Sequence, residues 1–174
     1  MNKLTKKIAK NLAKKYLLKK EIDPYHFIHT KKVVQIIKII SKNKKIDKEC
    51  LEICAWVHDI GYSLRNCKNC DPYHAEDTLK LLKKERYKIT NIIKDCILNH
   101  GSKGKPKTKE GKLLQIATKF NIIDKSFITY LISGKANGEE EVFLKKRMTS
   151  AIKMIKKLKT LEFEKTRKCV EKTV

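Results

Sequence analysis

Apolar and polar residues alternate along most of the chain with a period of three to four positions, which is the period of an amphipathic α-helix. Leu4, Ile8 and Leu12 follow one another at four-residue steps in the first segment. A stripe near the C-terminus has similar helical spacing: Leu144, Met148, Ala151, Ile155 and Leu158. The period of two that is typical of strands is scarce. The pattern therefore predicts an all-α protein.

Capping residues indicate where the helices begin. Asp23-Pro24 and Asp71-Pro72 each combine an N-cap residue with proline at the first helical position, which predicts helices over about 24–43 and 72–87. Asp47 and Thr90 are N-cap candidates for two further helices. Together with the N-terminal segment, these signals account for the first five helices.

Glycine and loop residues indicate where the helices end. The helix after Asp47 is expected to end at Gly61 in the left-handed conformation that glycine favours, and the helix after Thr90 near Gly101. After the loop GSKGKPKTK, a helix is predicted over about 110–132, and a long final helix over about 139–165. We expect a single domain over residues 1–174, with six to seven helices.

The charge of the chain is strongly positive. Lys and Arg number 42 against 19 Asp and Glu, which gives a formal net charge of +23, and all but four of the basic residues are Lys. Lysine acts mainly as a solvated point charge, so this excess attracts anions without recognising bases. It fits either a Lys- and Ile-rich composition, as in a heat-adapted organism, or a nucleic-acid-binding surface.

No apolar run approaches the roughly 18 residues of a membrane span. The N-terminal segment is basic and amphipathic but lacks the apolar core and cleavage site of a secretion signal. It is compatible with a transit peptide or a membrane-surface helix, and more simply with the first helix of the fold. The sequence thus predicts a cytoplasmic protein without a membrane partner.

Four of the five histidines share the phase of the apolar helix positions. They lie on four different predicted helices, and Asp59 follows one of them directly: His29, His58, His74 and His100. One inward histidine is ordinary, but burying four with a carboxylate is costly unless they share a partner. A metal or a phosphate at the centre of the bundle would be such a partner.

The order and spacing of these residues resemble the HD-domain family of metal-dependent phosphohydrolases. The matching motifs are HTKKV, AWVHDIG, YHAED, ILNHG and EGKLLQIATKFNIID, within about residues 24–124. The resemblance implies a bundle of helices around a divalent ion, whose identity (Mn, Co, Ni, Fe, Zn or Mg) stays open. It also implies a small phosphorylated substrate, such as a nucleotide.

The resemblance also implies roles for individual residues. His29, His58 and Asp59 correspond to metal ligands, and Asp59 would in addition accept a proton from the attacking water. His74 and His100 correspond to ligands of a second ion or to phosphate contacts. The remaining assignments concern the substrate and the water: Lys32, Arg65 and Lys103 would hold phosphate oxygens, and Glu76 and Asp77 would orient or deprotonate the water.

The chain departs from the family pattern at the fourth ligand. Where the family typically has Ala-Asp-Lys-Leu-Asp, this chain has ATKFN, so Thr118 and Asn121 replace two acidic residues. A neutral hydroxyl is a much weaker ligand than a carboxylate for a hard cation. The alternative function is therefore a catalytically impaired HD domain that binds a nucleotide or RNA as a sensor or accessory module.

Cys67 and Cys70 have the spacing of a zinc or redox pair, followed by His74. A second pair is absent from the sequence. A structural zinc, a labile disulfide and an ordinary loop all remain compatible with these residues. Neither their role nor the oligomeric state follows from the sequence.

Overall fold

The computed structural model describes residues 2–64 and 73–120. This part of the chain contains six α-helices and a 3₁₀ helix, Ile60–Leu64, between the third and the fourth. The α-helices are α1 Lys6–Leu17, α2 Pro24–Ile40, α3 Lys48–Val57, α4 His74–Lys84, α5 Asn91–Asn99 and α6 Lys109–Phe120. Within these residues the β-structure is limited to one isolated bridge, between Asn2 and Tyr87. The predicted all-α class is confirmed.

Side-chain caps fix the start of most helices. Asp23 accepts a hydrogen bond from the Tyr25 N–H, and Pro24 occupies the first position of α2. Asp47 caps α3 and Thr90 caps α5 in the same way, so these three predicted caps are confirmed. Thr5 caps α1 as well. The capping oxygens satisfy backbone donors that have no partner within the helix.

Several predicted boundaries differ from the structure. Helix α2 ends at Ile40 rather than near residue 43, and α4 ends at Lys84 rather than near residue 87. Helix α3 ends at Val57, and Gly61 lies within the 3₁₀ helix with a φ outside the left-handed region. Gly61 is instead required by close packing, as described below. Helix α4 begins at His74 after an N-cap residue, Tyr73, without a side-chain cap bond, rather than near residue 72; Asp71 and Pro72 lie outside the described residues.

The core of the described residues is aliphatic. Its largest fully buried apolar side chains come from every α-helix and from the 3₁₀ helix: Leu17, Val33, Ile37, Leu51, Val57, Ile60, Leu82, Ile97 and Leu114. Burial of one such side chain stabilises the folded state by about 1.5–3 kcal/mol. The lysines lie mostly outside this core, so the helices keep a basic outer surface.

The chain divides into two compact units, residues 1–117 and 118–174. The first contains α1–α5, the 3₁₀ helix and most of α6; of the second, the structure describes only residues 118–120, the end of α6. The single domain over 1–174 stays a prediction, and the final helix over about 139–165 lies outside the described residues. None of the described helices is both long and apolar enough to cross a bilayer.

Candidate metal centre

The C-terminal end of α3 places His58 and Asp59 in the core. His58 is the C-cap residue and is fully buried, and Asp59 follows with 5% of its surface exposed. The Nδ1 atom of His58 lies 2.9 Å from the Ala55 carbonyl oxygen. Because a carbonyl only accepts, Nδ1 carries the hydrogen in the neutral ring, and Nε2 presents its lone pair to the interior.

His100 repeats this arrangement at the end of α5. It is the C-cap residue of its helix, and its Nδ1 atom lies 2.6 Å from the Ile97 carbonyl oxygen, again three residues earlier. The Nε2 atom of neutral His100 is therefore also an acceptor. Two helices thus end in the same way, each with a buried imidazole whose tautomer is fixed by a backbone carbonyl.

The Asp59 carboxylate lies between two pairs of histidines. Its Oδ2 atom is 3.4 Å from His29 Nε2 and 3.2 Å from His58 Nε2, and these two nitrogens are 3.1 Å apart. Its Oδ1 atom is 3.5 Å from His74 Nε2 and 3.3 Å from His100 Nε2, which are 3.0 Å apart. One carboxylate is therefore shared by two three-residue groups.

These distances suit metal coordination. An ion bound at about 2.0–2.2 Å separates neighbouring ligand atoms by about 2.8–3.6 Å, from octahedral to tetrahedral geometry. Both groups fall within that interval. Lone pairs of neutral imidazoles that face a carboxylate repel it unless a cation or a proton lies between them. The residues therefore fit a divalent ion, and the cluster is a candidate metal site.

The electrostatics of the cluster favour the ionised carboxylate. Burial by itself would raise the pKa of Asp59, but the positive charge on His58 and hydrogen bonds from His100 and His58 outweigh it. The pKa of Asp59 is held well below its usual range as a result. The ionised carboxylate is the form that binds a metal ion.

Aromatic stacking orients His74. The His74 ring lies parallel to Tyr62, with centroids 4.4 Å apart, and the other face of Tyr62 stacks on His26 at 4.2 Å. Burial lowers the pKa of His26, against the charge of Asp59. Sequence reasoning missed this stack. Tyr62 resembles an ordinary core residue in the sequence, and no spacing signal links it to His26 or His74.

The other predicted site residues differ in exposure. Lys32 is half-buried on α2, and Glu76 is exposed on α4. Asp77 is buried and pairs with Lys80, with 2.8 Å between Oδ1 and Nζ. Lys103 is exposed in the loop after His100.

Thr118 and Arg65 complete the predicted site residues. Thr118 lies on α6 at the start of the second compact unit, and its role as a weak ligand stays a prediction. Arg65 lies outside the described residues, as do Cys67, Cys70 and Asn121.

The loop after His100 is held by two half-buried side chains. Asp95 accepts hydrogen bonds from the backbone N–H groups of Lys107 and Thr108 and from the Thr108 hydroxyl. The two N–H groups of the Gln115 amide are shared among three carbonyl oxygens that flank the turn, those of Asn99, Gly101 and Gly104. These bonds fix the backbone that follows His100, so the end of α5 is well defined.

Comparison with known proteins identifies a family. The model of the HD domain matches residues 26–121. The deoxyguanosinetriphosphate triphosphohydrolase-like protein of Caldanaerobacter subterraneus subsp. tengcongensis is 28% identical over 110 residues, 55% of this chain and 32% of that protein. The chain thus spans about a third of the length of this relative.

A solved structure has the same fold. The crystal structure of a predicted HD superfamily hydrolase from an uncultured Thermotogales bacterium matches with a TM-score of 0.58 and 21% identity, over 87% of this chain and 89% of the other. At that identity the likeness concerns the fold. It agrees with the all-α helical arrangement described above.

Proposed function

The chain belongs to the HD domain family, and from this premise we propose that it is a metal-dependent phosphohydrolase acting on a nucleotide or another small phosphate ester. The observation that carries the proposal is the Asp59 carboxylate between two histidine pairs, with every donor within 3.5 Å of a carboxylate oxygen. Such a set suits divalent ions that bind nitrogen and oxygen together.

In this proposal His29, His58 and Asp59 hold one divalent ion. Such an ion supplies Lewis-acid chemistry, lowering the pKa of water from 15.7 toward about 7 and stabilising the charge of phosphoryl transfer. In this proposal Asp59 also accepts the proton that the water loses. The fixed tautomer of His58 keeps its lone pair directed at the site.

His74 and His100 hold either a second ion or the phosphate oxygens of the substrate. His74 has the most exposed side chain of the four histidines, at 15%, against 0–8% for the others. We therefore assign the substrate side of the cluster to the Oδ1 pair. Lys32, Lys103 and Arg65 are proposed to contact the phosphate. The acidic residues Glu76 and Asp77 are proposed to orient or deprotonate the attacking water.

A nucleotide substrate is supported by the name of the Caldanaerobacter relative, a deoxyguanosinetriphosphate triphosphohydrolase-like protein. The positive charge of +23 also favours a polyanionic substrate over a neutral one. From the family resemblance we also propose that Thr118 is a weak metal ligand in place of the usual Asp. If this replacement limits catalysis, Thr118→Asp should raise turnover.

Metal content and hydrolysis on a substrate panel test the proposal. The purified protein is analysed for bound metal, then loaded with Mn²⁺, Co²⁺, Ni²⁺ or Mg²⁺ and assayed on phosphomonoesters and nucleotides. We expect metal-stimulated turnover that Asp59→Asn and His58→Ala abolish. Asp23→Asn is the matched control, because the exposed N-cap of α2 accepts asparagine equally well. A wild type that neither retains nor takes up any of these metals would overturn the proposal.

A second candidate function, nucleic-acid binding, is favoured by the outer face of α1. This helix has no acidic residue in its sequence, and Lys7, Lys10 and Lys14 are exposed on it. Lys6 and Lys15, beside them, pair with Glu52 and Glu85. Among the described residues, no ion pair is formed by Lys7 or Lys14. Because the apolar face of α1 is buried in the core, the helix presents charge without the apolar anchor that bilayer insertion needs.

Salt-dependent binding of a single-stranded RNA oligonucleotide tests this second function. We expect Lys7→Gln, Lys10→Gln and Lys14→Gln together to weaken binding and to flatten the dependence of log K on log salt, by about 0.7 per lost contact. Lys83→Gln, Lys84→Gln and Lys88→Gln remove the same charge from exposed positions elsewhere. If both triple variants lose the same RNA affinity, the binding depends on net charge and not on the outer face of α1.

A further inference from the structure

The hydroxyl of Thr78 joins the segment that carries Asp59 to the helix that carries His74. Thr78 lies on α4 and is fully buried. Its Oγ1 donates to the His58 carbonyl oxygen at 3.1 Å and accepts from the Gly61 N–H at 2.9 Å. One side chain therefore holds the backbone on both sides of Asp59.

Thr78 and His74 are four residues apart, so they lie on the same face of α4. The hydrogen bonds of Thr78 consequently set how α4 lies against the end of α3. His58 belongs to the histidine pair at Asp59 Oδ2, and His74 to the pair at Oδ1. The distance between the two pairs thus depends on a contact in which no imidazole of either pair takes part.

We propose that Thr78 is a positioning residue of the metal centre, which sets the affinity for divalent metal by fixing the His58–Gly61 backbone. This inference rests on the proposed function, because it presumes that the cluster holds a metal. We do not propose Thr78 as a metal ligand. Its effect passes through the orientation of Asp59, as hydrogen bonds around a ligand do in other metal sites.

The backbone around Thr78 is tightly packed. The 3₁₀ helix approaches α4 so closely that a Cβ atom on Gly61 would lie 2.6 Å from the Thr78 nitrogen. At this separation the backbone groups of residues 58–61 have little room for water. The Thr78 hydroxyl therefore satisfies a buried donor and a buried acceptor that would otherwise lose their partner.

Thr78→Val tests the inference, since valine keeps the shape of threonine and removes both hydrogen bonds. Thr78→Ser keeps the hydroxyl and removes only a methyl group. Thr30→Val is the matched control: Thr30 is equally buried and lies beside His29, but its hydroxyl has no hydrogen-bond partner within the described residues. Together the three variants show whether a change in metal affinity comes from the hydrogen bonds of the hydroxyl, from burial of the residue or from its closeness to a metal ligand.

The measurement is the dissociation constant for Mn²⁺, by calorimetry on the metal-stripped full-length chain, at a temperature well below every unfolding midpoint. We expect Thr78→Val to weaken Mn²⁺ binding by about 10–100-fold, and Thr78→Ser and Thr30→Val to stay near the wild type. The unfolding midpoint of each metal-free variant is recorded alongside, because a purely structural role would lower that midpoint and leave the dissociation constant unchanged.

The outcomes separate the two proposals. Mn²⁺ binding by Thr78→Val that equals the wild type overturns the role of Thr78 and leaves the metal site standing. A wild type that binds no divalent metal overturns both. Loss of affinity in Thr78→Ser comparable to that in Thr78→Val also counts against the hydroxyl. If Thr78→Val does not fold, Thr78→Ala replaces it with the same expectation.

Discussion

Gly61 lies directly against the backbone of His74. A Cβ atom built on Gly61 would stand 1.9 Å from the His74 carbonyl oxygen, a separation that real Cβ atoms do not show. The contact joins the 3₁₀ helix after Asp59 to the first turn of α4. Glycine is therefore required here for close approach of two backbones, although its φ is ordinary.

We expect Gly61→Ala to be strongly destabilising, because the obstacle is backbone and neither element can yield without moving a site residue. The free energy of unfolding should fall by about 1–3 kcal/mol or more, and metal affinity should fall with it. Urea unfolding of the metal-free protein measures the first effect.

Gly101→Ala is the control for this substitution. Nothing lies within 4 Å of the Cβ position of Gly101, and its φ is outside the left-handed region. Alanine there should be neutral or stabilising by up to about 1 kcal/mol. Similar losses in the two variants would show that the Gly61–His74 contact is less tight than described.

The helices could be predicted because their signals are local. Asp23, Asp47 and Thr90 cap helices at the predicted positions, and apolar spacing identifies the buried faces. His29, His58 and His100 are buried as their phase predicts. Each of these features depends on residues within one or two helical turns, which the sequence presents directly.

The contacts between helices could not be predicted. Thr78 reaches His58 and Gly61 across 17 to 20 positions, and the stack of His26 on Tyr62 spans 36. Neither has a period or a motif. The sharing of Asp59 by two histidine pairs is likewise a property of packing, since sequence alone does not say which carboxylate oxygen faces which helix.

Acid should destabilise the metal-free protein through Asp59. The pKa of Asp59 is held well below its usual value of about 3.9, so the folded state favours the ionised group. The resulting stability is present above about pH 4 and is lost as the pH falls through the folded-state pKa. Each unit of depression corresponds to about 1.4 kcal/mol.

Asp59→Asn isolates this contribution because asparagine does not titrate. We expect the difference in unfolding free energy between the wild type and Asp59→Asn, measured in EDTA, to shrink as the pH falls from about 5 to about 2. Chemical unfolding followed by circular dichroism gives both values. A difference that does not change over that interval would contradict the depressed pKa.

Asp95 should control the order of the loop after His100. Burial acts to raise the pKa of Asp95, but hydrogen bonds from Thr108 and Lys107 lower it overall. In Asp95→Asn the amide offers one oxygen acceptor where the carboxylate offers two, so at least one of the groups of Asn99, Lys107 and Thr108 that donate to Asp95 loses its partner. We expect faster tryptic cleavage after Lys103 or Lys107, detected by mass spectrometry.

Asp47→Asn provides the comparison for Asp95→Asn, because Asp47 accepts a single cap bond, from the Cys50 N–H, that asparagine also accepts. Its cleavage rate in the loop should equal that of the wild type. The interpretation of Asp95 as an anchor fails if Asp95→Asn is cleaved no faster than Asp47→Asn.

The end of α4 offers a stabilising substitution. Arg86 has a φ of 59°, within the left-handed region that disfavours residues with a Cβ atom. Its N–H bonds to the Lys83 carbonyl oxygen, so the conformation closes the helix. We expect Arg86→Gly to raise the free energy of unfolding by about 0.5–1 kcal/mol. Lys84→Gly removes the same charge from the last residue of α4 and should lower it by up to about 1 kcal/mol. Opposite signs in thermal unfolding of the two variants support the strained cap, whereas destabilisation by both would show that the Arg86 side chain contributes more than its backbone costs.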